Sequence, residues 1–156
     1  MNELPQRKLQ RLKGYDYSHN GAYFITICTQ NRQQLFGEIF NNTMLINNAG
    51  KMIEERLLNI INDVVFLDKH IIMPDHIHAI VIINHNGTTQ GPFPTLSEIV
   101  QRFKTITTKL YIDSVKNGEY PPFDKKIWQK SFNDRIIRNE KEYREIRQYI
   151  DENPLK

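Results

Sequence analysis

The residues with the clearest chemical potential are two histidines in the segment Pro74-Asp75-His76-Ile77-His78. On a β-strand, alternate side chains share a face, so His76 and His78 point the same way with Cα atoms roughly 6.5 Å apart. Neutral imidazole is a common ligand of divalent metal ions, and two imidazoles on a rigid strand can converge on one ion. The alternative is a pair of incidental histidines on the open face of a sheet. The spacing alone leaves both interpretations open.

A metal ion bound by two histidines needs a further protein ligand, and Tyr149 and Asn153 are candidates for completing such a site. They are four residues apart, so on a helix they lie one turn apart on one surface. The amide can then bind the ion while the phenol faces the group that the ion polarises. Tyr143 shares the spacing of a buried face with Ile146 and Ile150, so we expect it to be a core residue. Tyr149 is the tyrosine that packing explains less well.

A tyrosine beside a divalent ion indicates phosphoryl-transfer chemistry. The phenol is a weak nucleophile because it is mostly protonated at neutral pH. A divalent ion on a phosphate oxygen makes phosphorus more electrophilic and stabilises the charge of the transition state. Attack would cleave a phosphodiester and leave a covalent phosphotyrosine, which stores the bond for rejoining. Such chemistry needs no nucleotide triphosphate, and the chain contains no GxxxxGK[ST] motif.

Periodicity predicts the strands that must position these residues. Residues 23–29 are β-branched and aromatic and predict a strand. Residues 64–73 and 76–83 predict two more, joined by the turn signal at 74–75. Because the connection is so short, these two strands should pair antiparallel. A further strand is predicted over 127–137.

Three helices are predicted from apolar spacing and capping signals. Residues 48–61 carry one apolar face, and the segment 95–98 has capping-box spacing before a second apolar series. Asn139 and Glu142 form an N-cap signature for a last helix, which must end just before Pro154. The order of elements predicts an α+β fold: a ferredoxin-like or RRM-like antiparallel sheet with helices packed on one face.

Composition excludes several classes of protein. The 156 residues are 39% hydrophobic and 25% charged, which favours a single folded domain over disorder. The longest apolar runs, such as 79–83, are far shorter than the ~20 residues of a membrane span. No apolar stretch follows the basic N-terminus, so a signal peptide is not expected. Cys28 has no partner for an internal disulfide, and we expect a cytoplasmic, nucleoid-associated protein with no membrane contact.

The basic residues are distributed unevenly. Residues 102–138 hold nine basic and four acidic side chains, whereas residues 1–100 hold eight basic and nine acidic ones. This concentration favours contact with a phosphate backbone, although a solvated Lys-rich surface accounts for the charge equally well. The candidate DNA contacts lie in a basic N-terminal arm (residues 1–20) and in the C-terminal third of the chain: Arg7, Lys8, Arg11, Lys13, Arg102, Lys104, Lys109, Lys130, Arg135 and Arg138.

Four segments together resemble a known family. The segment IIMPDHIHAIVII (71–83) resembles the HUH motif, His-hydrophobe-His, of the single-tyrosine, insertion sequence 200-like transposases. Segments 23–39, 127–143 and 149–156 are similar to further blocks of the REP-associated tyrosine transposase branch, in the same order. The resemblance implies a single HUH transposase domain over 21–156 with a ferredoxin-like α+β fold.

The resemblance also implies roles for four residues. His76 and His78 would be metal ligands, Asn153 the third ligand and Tyr149 the nucleophile. The family implies Mg or Mn as the divalent ion. Ligand preference alone would favour Mn, Co, Ni or Zn over Mg, because Mg prefers oxygen.

The activity implied by the resemblance is that of a metal-dependent enzyme. Such a transposase nicks and rejoins single-stranded, hairpin-forming DNA through a 5′-phosphotyrosine intermediate. Some relatives are dimers that exchange the tyrosine helix, whereas the REP-associated branch looks monomeric, so both monomer and homodimer stay open. The chain departs from many members at 133–135, where they carry an aromatic residue and a histidine. Arg135 could contact DNA phosphate there instead.

Two other functions are open. One is a domesticated, noncatalytic DNA-binding protein that keeps the fold and the basic surface. The other is a hydrolytic metalloenzyme acting on a small substrate, which is disfavoured because the chain offers no obvious acidic ligand cluster beyond Asp75. The joint presence of His76, His78, Tyr149 and Asn153 favours the transposase.

Overall fold

A computed structural model describes residues 21–84 and 93–153. Over these ranges the chain forms an α+β fold, as the sequence predicts. The predicted arm over 1–20 lies outside the described residues. In chain order the main elements are β1 (Gly21–Cys28), β2 (Gly37–Phe40), β3 (Thr43–Ile46), α1 (Asn48–Leu58), β4 (Val65–Met73), β5 (His76–Ile83), α2 (Leu96–Lys116), β6 (Asn133–Ile137) and α3 (Glu140–Glu152).

The main sheet has the strand order β4–β5–β1–β6, and all neighbouring strands are antiparallel. β4 and β5 are joined by the two-residue Pro74-Asp75 turn, so Met73 and His76 are direct partners, as the short connection predicts. β5 has β4 on one side and β1 on the other. The two histidines therefore lie on an interior strand, whose backbone is hydrogen-bonded along both edges.

The two faces of the sheet are covered by different helices. Alternate residues of β1 and β5, such as Ile25 and Ile77, belong to a large core that includes residues of α1 and α2. The intervening Phe24 and Ile80 belong to a smaller core formed with the α3 residue Ile146. Helices α1 and α2 thus share one face, and α3 departs from the prediction by packing on the opposite face. Because β1 and β5 are apolar on both faces, each face needs a covering layer.

The helix starts follow the capping signals in the sequence. The side chain of Thr95 accepts a hydrogen bond from the Glu98 amide, and the Glu98 carboxylate accepts one from the Thr95 amide, so the predicted capping box is present. Asn139 caps α3 by accepting from the Glu142 amide at 2.9 Å. Each such cap is worth about 1 kcal/mol of stability. None of the helices in the described ranges combines the length and apolarity that a membrane crossing requires.

Two segments differ from the prediction. Only 133–137 of the strand predicted over 127–137 is formed, because Trp128 instead packs in the core and donates its indole hydrogen to Thr107 Oγ1 at 3.0 Å. The β2–β3 hairpin was not predicted at all. Its two-residue loop, Asn41 and Asn42, has φ angles of 51° and 59°. Asparagine tolerates this left-handed conformation better than most residues, so the Asn-Asn pair was the available signal.

Candidate active site

His76, His78 and Tyr149 come together on the face of the sheet that α3 covers. The ring centroids of His76 and His78 lie 4.7 Å apart, so the two imidazoles share a face as predicted. The ring of Tyr149, from α3, lies 5.5 Å from the ring of His78. Ile77 points to the other face and is fully buried in the large core. The fold therefore brings the histidine pair and the predicted nucleophile into one cluster.

His78 is the more enclosed of the two histidines. It is only 7% exposed, and its ring stacks on Phe24 with centroids 5.3 Å apart. Burial, with the nearby His76 and the Arg32 charge, lowers the pKa of His78 to about 3. The imidazole is therefore neutral at neutral pH, which is the form that binds a metal ion. The face on which this histidine lies is not open, because α3 covers it.

His76 is held by a charged pair that sequence reasoning missed. Its Nδ1 lies 2.6 Å from Asp75 Oδ1, and Asp75 Oδ2 accepts a hydrogen bond from Arg32 Nε at 3.1 Å. Burial would raise the pKa of Asp75, but the hydrogen bonds from Arg32 and His76 outweigh it, so that the pKa is lowered. The pKa of His76 is also lowered, mainly by burial. Asp75 is thus a carboxylate that orients His76.

The arrangement fits a divalent metal ion. The Nδ1 atom of His78 also has a partner, Thr26 Oγ1 at 2.9 Å, so the Nε2 atom of each histidine is the one left for a ligand bond. Among the residues that the structure describes, no three His, Cys, Asp or Glu side chains are grouped so that they could hold an ion. Within these ranges, an amide oxygen is therefore a candidate for the third ligand. Asn153, 9% exposed at the C-cap of α3, is one turn beyond Tyr149 and remains the predicted one.

Helix α3 is fastened to the neighbouring strand β4. Asp68 accepts hydrogen bonds from the Tyr143 hydroxyl and from Arg147 Nη1, the latter at 2.6 Å. Lys69 and Asp151 form an ion pair at 2.9 Å. Tyr143 packs partly against the smaller core, as predicted, and its hydroxyl is engaged away from the histidines. These contacts place the other tyrosine of the helix over the histidine pair.

The basic residues predicted to contact DNA differ in their exposure to solvent. The prediction that Lys104 contacts DNA is wrong, because this side chain is only 7% exposed. Its Nζ donates hydrogen bonds to the carbonyl oxygens of Gln129 and Ser131 at 2.9 and 3.1 Å. It lies on the buried stripe of α2, four residues after Val100 and three before Thr107. That helical spacing was the signal available in the sequence.

The other basic residues divide by position. Arg135 is largely enclosed and lies 3.4 Å from Glu142, whereas Arg138 is 73% exposed. Lys130 is exposed on the loop before β6. Arg102 and Lys109 are exposed on α2, which covers the face opposite the histidines. Four predicted contacts lie outside the described residues: Arg7, Lys8, Arg11 and Lys13.

The buried, neutral state of His78 predicts a pH-dependent stability. Its pKa is about 3 in the folded protein against an ordinary 6.5, so the unfolded chain binds more protons between these values. The stabilisation is complete above the unfolded pKa and is lost as the pH falls from there through the folded pKa, with a slope of at most about 1.4 kcal/mol per pH unit. Urea unfolding between about pH 7 and about pH 5 should show this slope.

The matched variant for this measurement is His78→Gln, which cannot take up the proton. We expect its free energy of unfolding to fall less steeply with decreasing pH than that of the unsubstituted protein. Equal slopes for the two proteins would contradict a neutral, buried His78.

Comparison with known proteins identifies the family of this chain. Residues 17–153 match the sequence profile of the family described as "Transposase IS200 like". A Haemophilus influenzae protein described as uncharacterized is 36% identical over 169 residues, which covers 97% of this chain and 90% of that protein.

Two solved structures share the fold. One is a REP-associated tyrosine transposase bound to a REP hairpin, with a TM-score of 0.61 and 22% identity over 94% of this chain and 73% of that one. The other is a candidate transposase from Deinococcus radiodurans, with a TM-score of 0.54 and 17% identity over 91% of this chain and 95% of that one. The family match spans every described element from β1 to α3 and includes the histidine pair and Tyr149. The chain therefore belongs to the IS200-like transposase family.

Proposed function

We propose that this transposase nicks and rejoins single-stranded, hairpin-forming DNA in a metal-dependent reaction, with Tyr149 as the nucleophile. The observation that carries the proposal is the position of the Tyr149 ring, 5.5 Å from that of His78, beside a histidine pair whose Nδ1 atoms both have partners. A phenol next to two preorganised metal ligands is suited to attack on phosphorus.

The Tyr149 oxygen would attack the scissile phosphorus and the bond from phosphorus to the 3′ oxygen would break. The phenol proton is balanced by the proton of the new 3′-hydroxyl, and the 5′-phosphate stays on the tyrosine. Attack by a 3′-hydroxyl on that phosphotyrosine would reverse the step and join the strands. Neither step consumes water or a nucleotide triphosphate.

His76, His78 and Asn153 would hold a divalent ion, Mg or Mn, which would supply electrophilic activation of the phosphate. The protein contributes orientation: Asp75 and Thr26 hold the two imidazoles, and the Phe24 ring lies edge-on to the Tyr149 ring at 6.1 Å. These side chains fix the reacting groups before substrate arrives.

A DNA hairpin is the proposed partner. The structural neighbour from the REP-associated branch is bound to a REP hairpin. In this chain, exposed Lys130 and Arg138 precede and follow β6, one of the two edge strands of the main sheet. These observations support the proposal that the protein belongs to the REP-associated branch. Since α3 packs on the sheet of its own chain, the tyrosine would serve the histidines of the same protomer, whether the protein is a monomer or a homodimer.

Affinity for single-stranded DNA should depend strongly on salt. Each phosphate neutralised by a basic side chain contributes a log–log slope of roughly −0.7. Replacement of Arg138 with Ala should therefore make the slope shallower by about that amount. Lys51→Ala is the matched control, because Lys51 is exposed on α1, on the opposite side of the sheet. Fluorescence anisotropy with a labelled hairpin over a salt series measures both, and a salt-independent affinity would contradict phosphate binding.

The decisive test of the proposed function is incubation with a labelled single-stranded hairpin and Mn. The expected product is a protein–DNA adduct that survives boiling in detergent and depends on added metal. Binding without cutting would favour the noncatalytic DNA-binding protein. Cutting without an adduct would favour direct hydrolysis.

A further inference from the structure

A row of polar side chains crosses three strands beneath α3. His78 of β5 is the direct partner of Thr26 in β1, and Thr26 is in turn the direct partner of Asn133 in β6. Directly opposed residues of antiparallel strands point to the same face of a sheet. The three side chains therefore form one line that leads from the histidine pair to the edge of the sheet.

The Thr26 hydroxyl restricts the protonation of the imidazole. It lies 2.9 Å from His78 Nδ1. A neutral imidazole carries its proton on one nitrogen only, so Nε2 can bind a metal ion only if Nδ1 carries the proton. In that tautomer Nδ1 donates to the Thr26 oxygen, and the threonine hydroxyl must direct its own proton elsewhere.

Asn133 offers an acceptor for that proton. Its Oδ1 is buried and, over the described part of the chain, has no hydrogen-bond partner. A buried amide oxygen without a hydrogen-bond partner lowers the stability of the fold, and such groups are rare in native proteins. Its presence here therefore needs an explanation. Rotation of the Asn133 side chain toward its neighbour in the row would satisfy both the amide oxygen and the threonine hydroxyl.

We propose that Thr26 and Asn133 are positioning residues that hold His78 in the tautomer with Nε2 free for the metal ion. The proposal rests on the proposed metal-dependent function. In this arrangement the His78 Nδ1 hydrogen would be donated to the Thr26 oxygen, and the Thr26 hydroxyl would donate to the Asn133 oxygen once the Asn133 side chain has rotated. The groups that hold His76 are of a different kind. His76 Nδ1 contacts the charged Asp75, which is in turn hydrogen-bonded to Arg32.

The difference between the two histidines follows from burial. His78 is only 7% exposed, stacks on the Phe24 ring and lies edge-to-face with the Tyr149 ring. A carboxylate placed against it would carry a large desolvation cost, whereas a hydroxyl and an amide orient the ring without a net charge. When a residue that hydrogen-bonds to a metal-binding histidine is removed, the affinity for the metal commonly falls by about 10–100-fold.

Two variants separate the hydroxyl from the shape of the side chain. Thr26→Val keeps the β-branched shape but lacks the hydroxyl, and Thr26→Ser keeps the hydroxyl but lacks the methyl group. We expect Thr26→Val to weaken Mn binding by about 10–100-fold and Thr26→Ser to retain it. Asn133→Leu should weaken binding less, because Thr26 still contacts the ring. Thr43→Val, on exposed β3, is the matched control and should bind as the unsubstituted protein does.

The experiment has two readouts, both on the full chain without DNA. Calorimetric titration with Mn gives the dissociation constant, and long-range ¹H–¹⁵N NMR of the metal-free protein identifies which nitrogen of His78 carries the proton. We expect the proton on Nδ1. A proton on Nε2, or a Thr26→Val protein that binds Mn as tightly as the unsubstituted one while His78→Gln does not, would overturn the positioning role and leave the metal site intact. If the unsubstituted protein binds no Mn through His76 and His78, the metal-dependent function fails as well.

Discussion

Replacement of Tyr149 with Phe should abolish the covalent adduct with DNA while the protein still folds and binds hairpin DNA. The substitution removes one hydroxyl and keeps the ring, so the contacts with His78 and Phe24 persist. No atom of a phenylalanine ring can attack phosphorus, so the adduct should fall below detection rather than decrease by a modest factor. Denaturing gel analysis of labelled DNA gives the adduct, and anisotropy gives the binding.

The control for this experiment is Tyr143→Phe on the same helix. It should retain the adduct, because the Tyr143 hydroxyl is bonded to Asp68 on β4. Because the acceptor is a carboxylate, loss of that hydrogen bond should lower the free energy of unfolding by about 1.5–3 kcal/mol. Mass spectrometry of the DNA-linked peptide locates the attachment. A nucleotide on Tyr143, on Tyr111 or on a serine would refute the role of Tyr149.

Replacement of either histidine of the pair should eliminate DNA cleavage. Alanine is not suitable at position 78, because the side chain is buried and its removal would leave a cavity. Loss of activity could then not be distinguished from loss of stability. His78→Gln and His76→Gln keep more volume and remain neutral. We expect cleavage to fall by at least about 100-fold in each, with hairpin binding retained, since removal of a ligand directly weakens the metal site.

His70→Gln is the matched control, because His70 lies on β4 and contacts Glu54 of α1 at 2.9 Å, away from the cluster. It should cleave normally. Asn153→Ala should fall between these extremes, and added Mn should restore part of its rate, because two imidazoles remain. Full cleavage activity in His78→Gln would contradict the interpretation of His76 and His78 as an HUH motif.

Much of the site could be predicted because its signals are local. The alternation of β5 puts His76 and His78 on one face, and a spacing of four residues puts Tyr149 and Asn153 one turn apart. These relations depend on strand and helix geometry alone. The N-cap at Asn139 is equally local. The structure confirms that the two histidines share a face. The meeting of Tyr149 with His78 depends in addition on how α3 packs on the sheet.

The features that were missed depend on contacts between distant parts of the chain. Arg32 reaches Asp75 across 43 residues, and Thr26 reaches His78 across 52, so neither pairing has a sequence signature. The apolar stripe of α3 does not predict which face of the sheet the helix packs on. Such a stripe shows that one side of a helix is buried, but it does not identify the element that buries it. Its partner was indicated only indirectly, by β5 being apolar on both faces.

The elements that carry the two halves of the site differ in their attachment to the fold. The histidines belong to an interior strand, which opens only when the sheet itself comes apart. Tyr149 belongs to the last helix, which is fastened mainly by side-chain contacts at Asp68 and Lys69 and by a small apolar core. Local unfolding free energies follow such differences, so we expect α3 to have a lower local unfolding free energy than β5. If Tyr149 carries the DNA end, as proposed, that end would be attached to the less firmly held element, whereas the proposed metal ligands His76 and His78 would lie on the firmly held one.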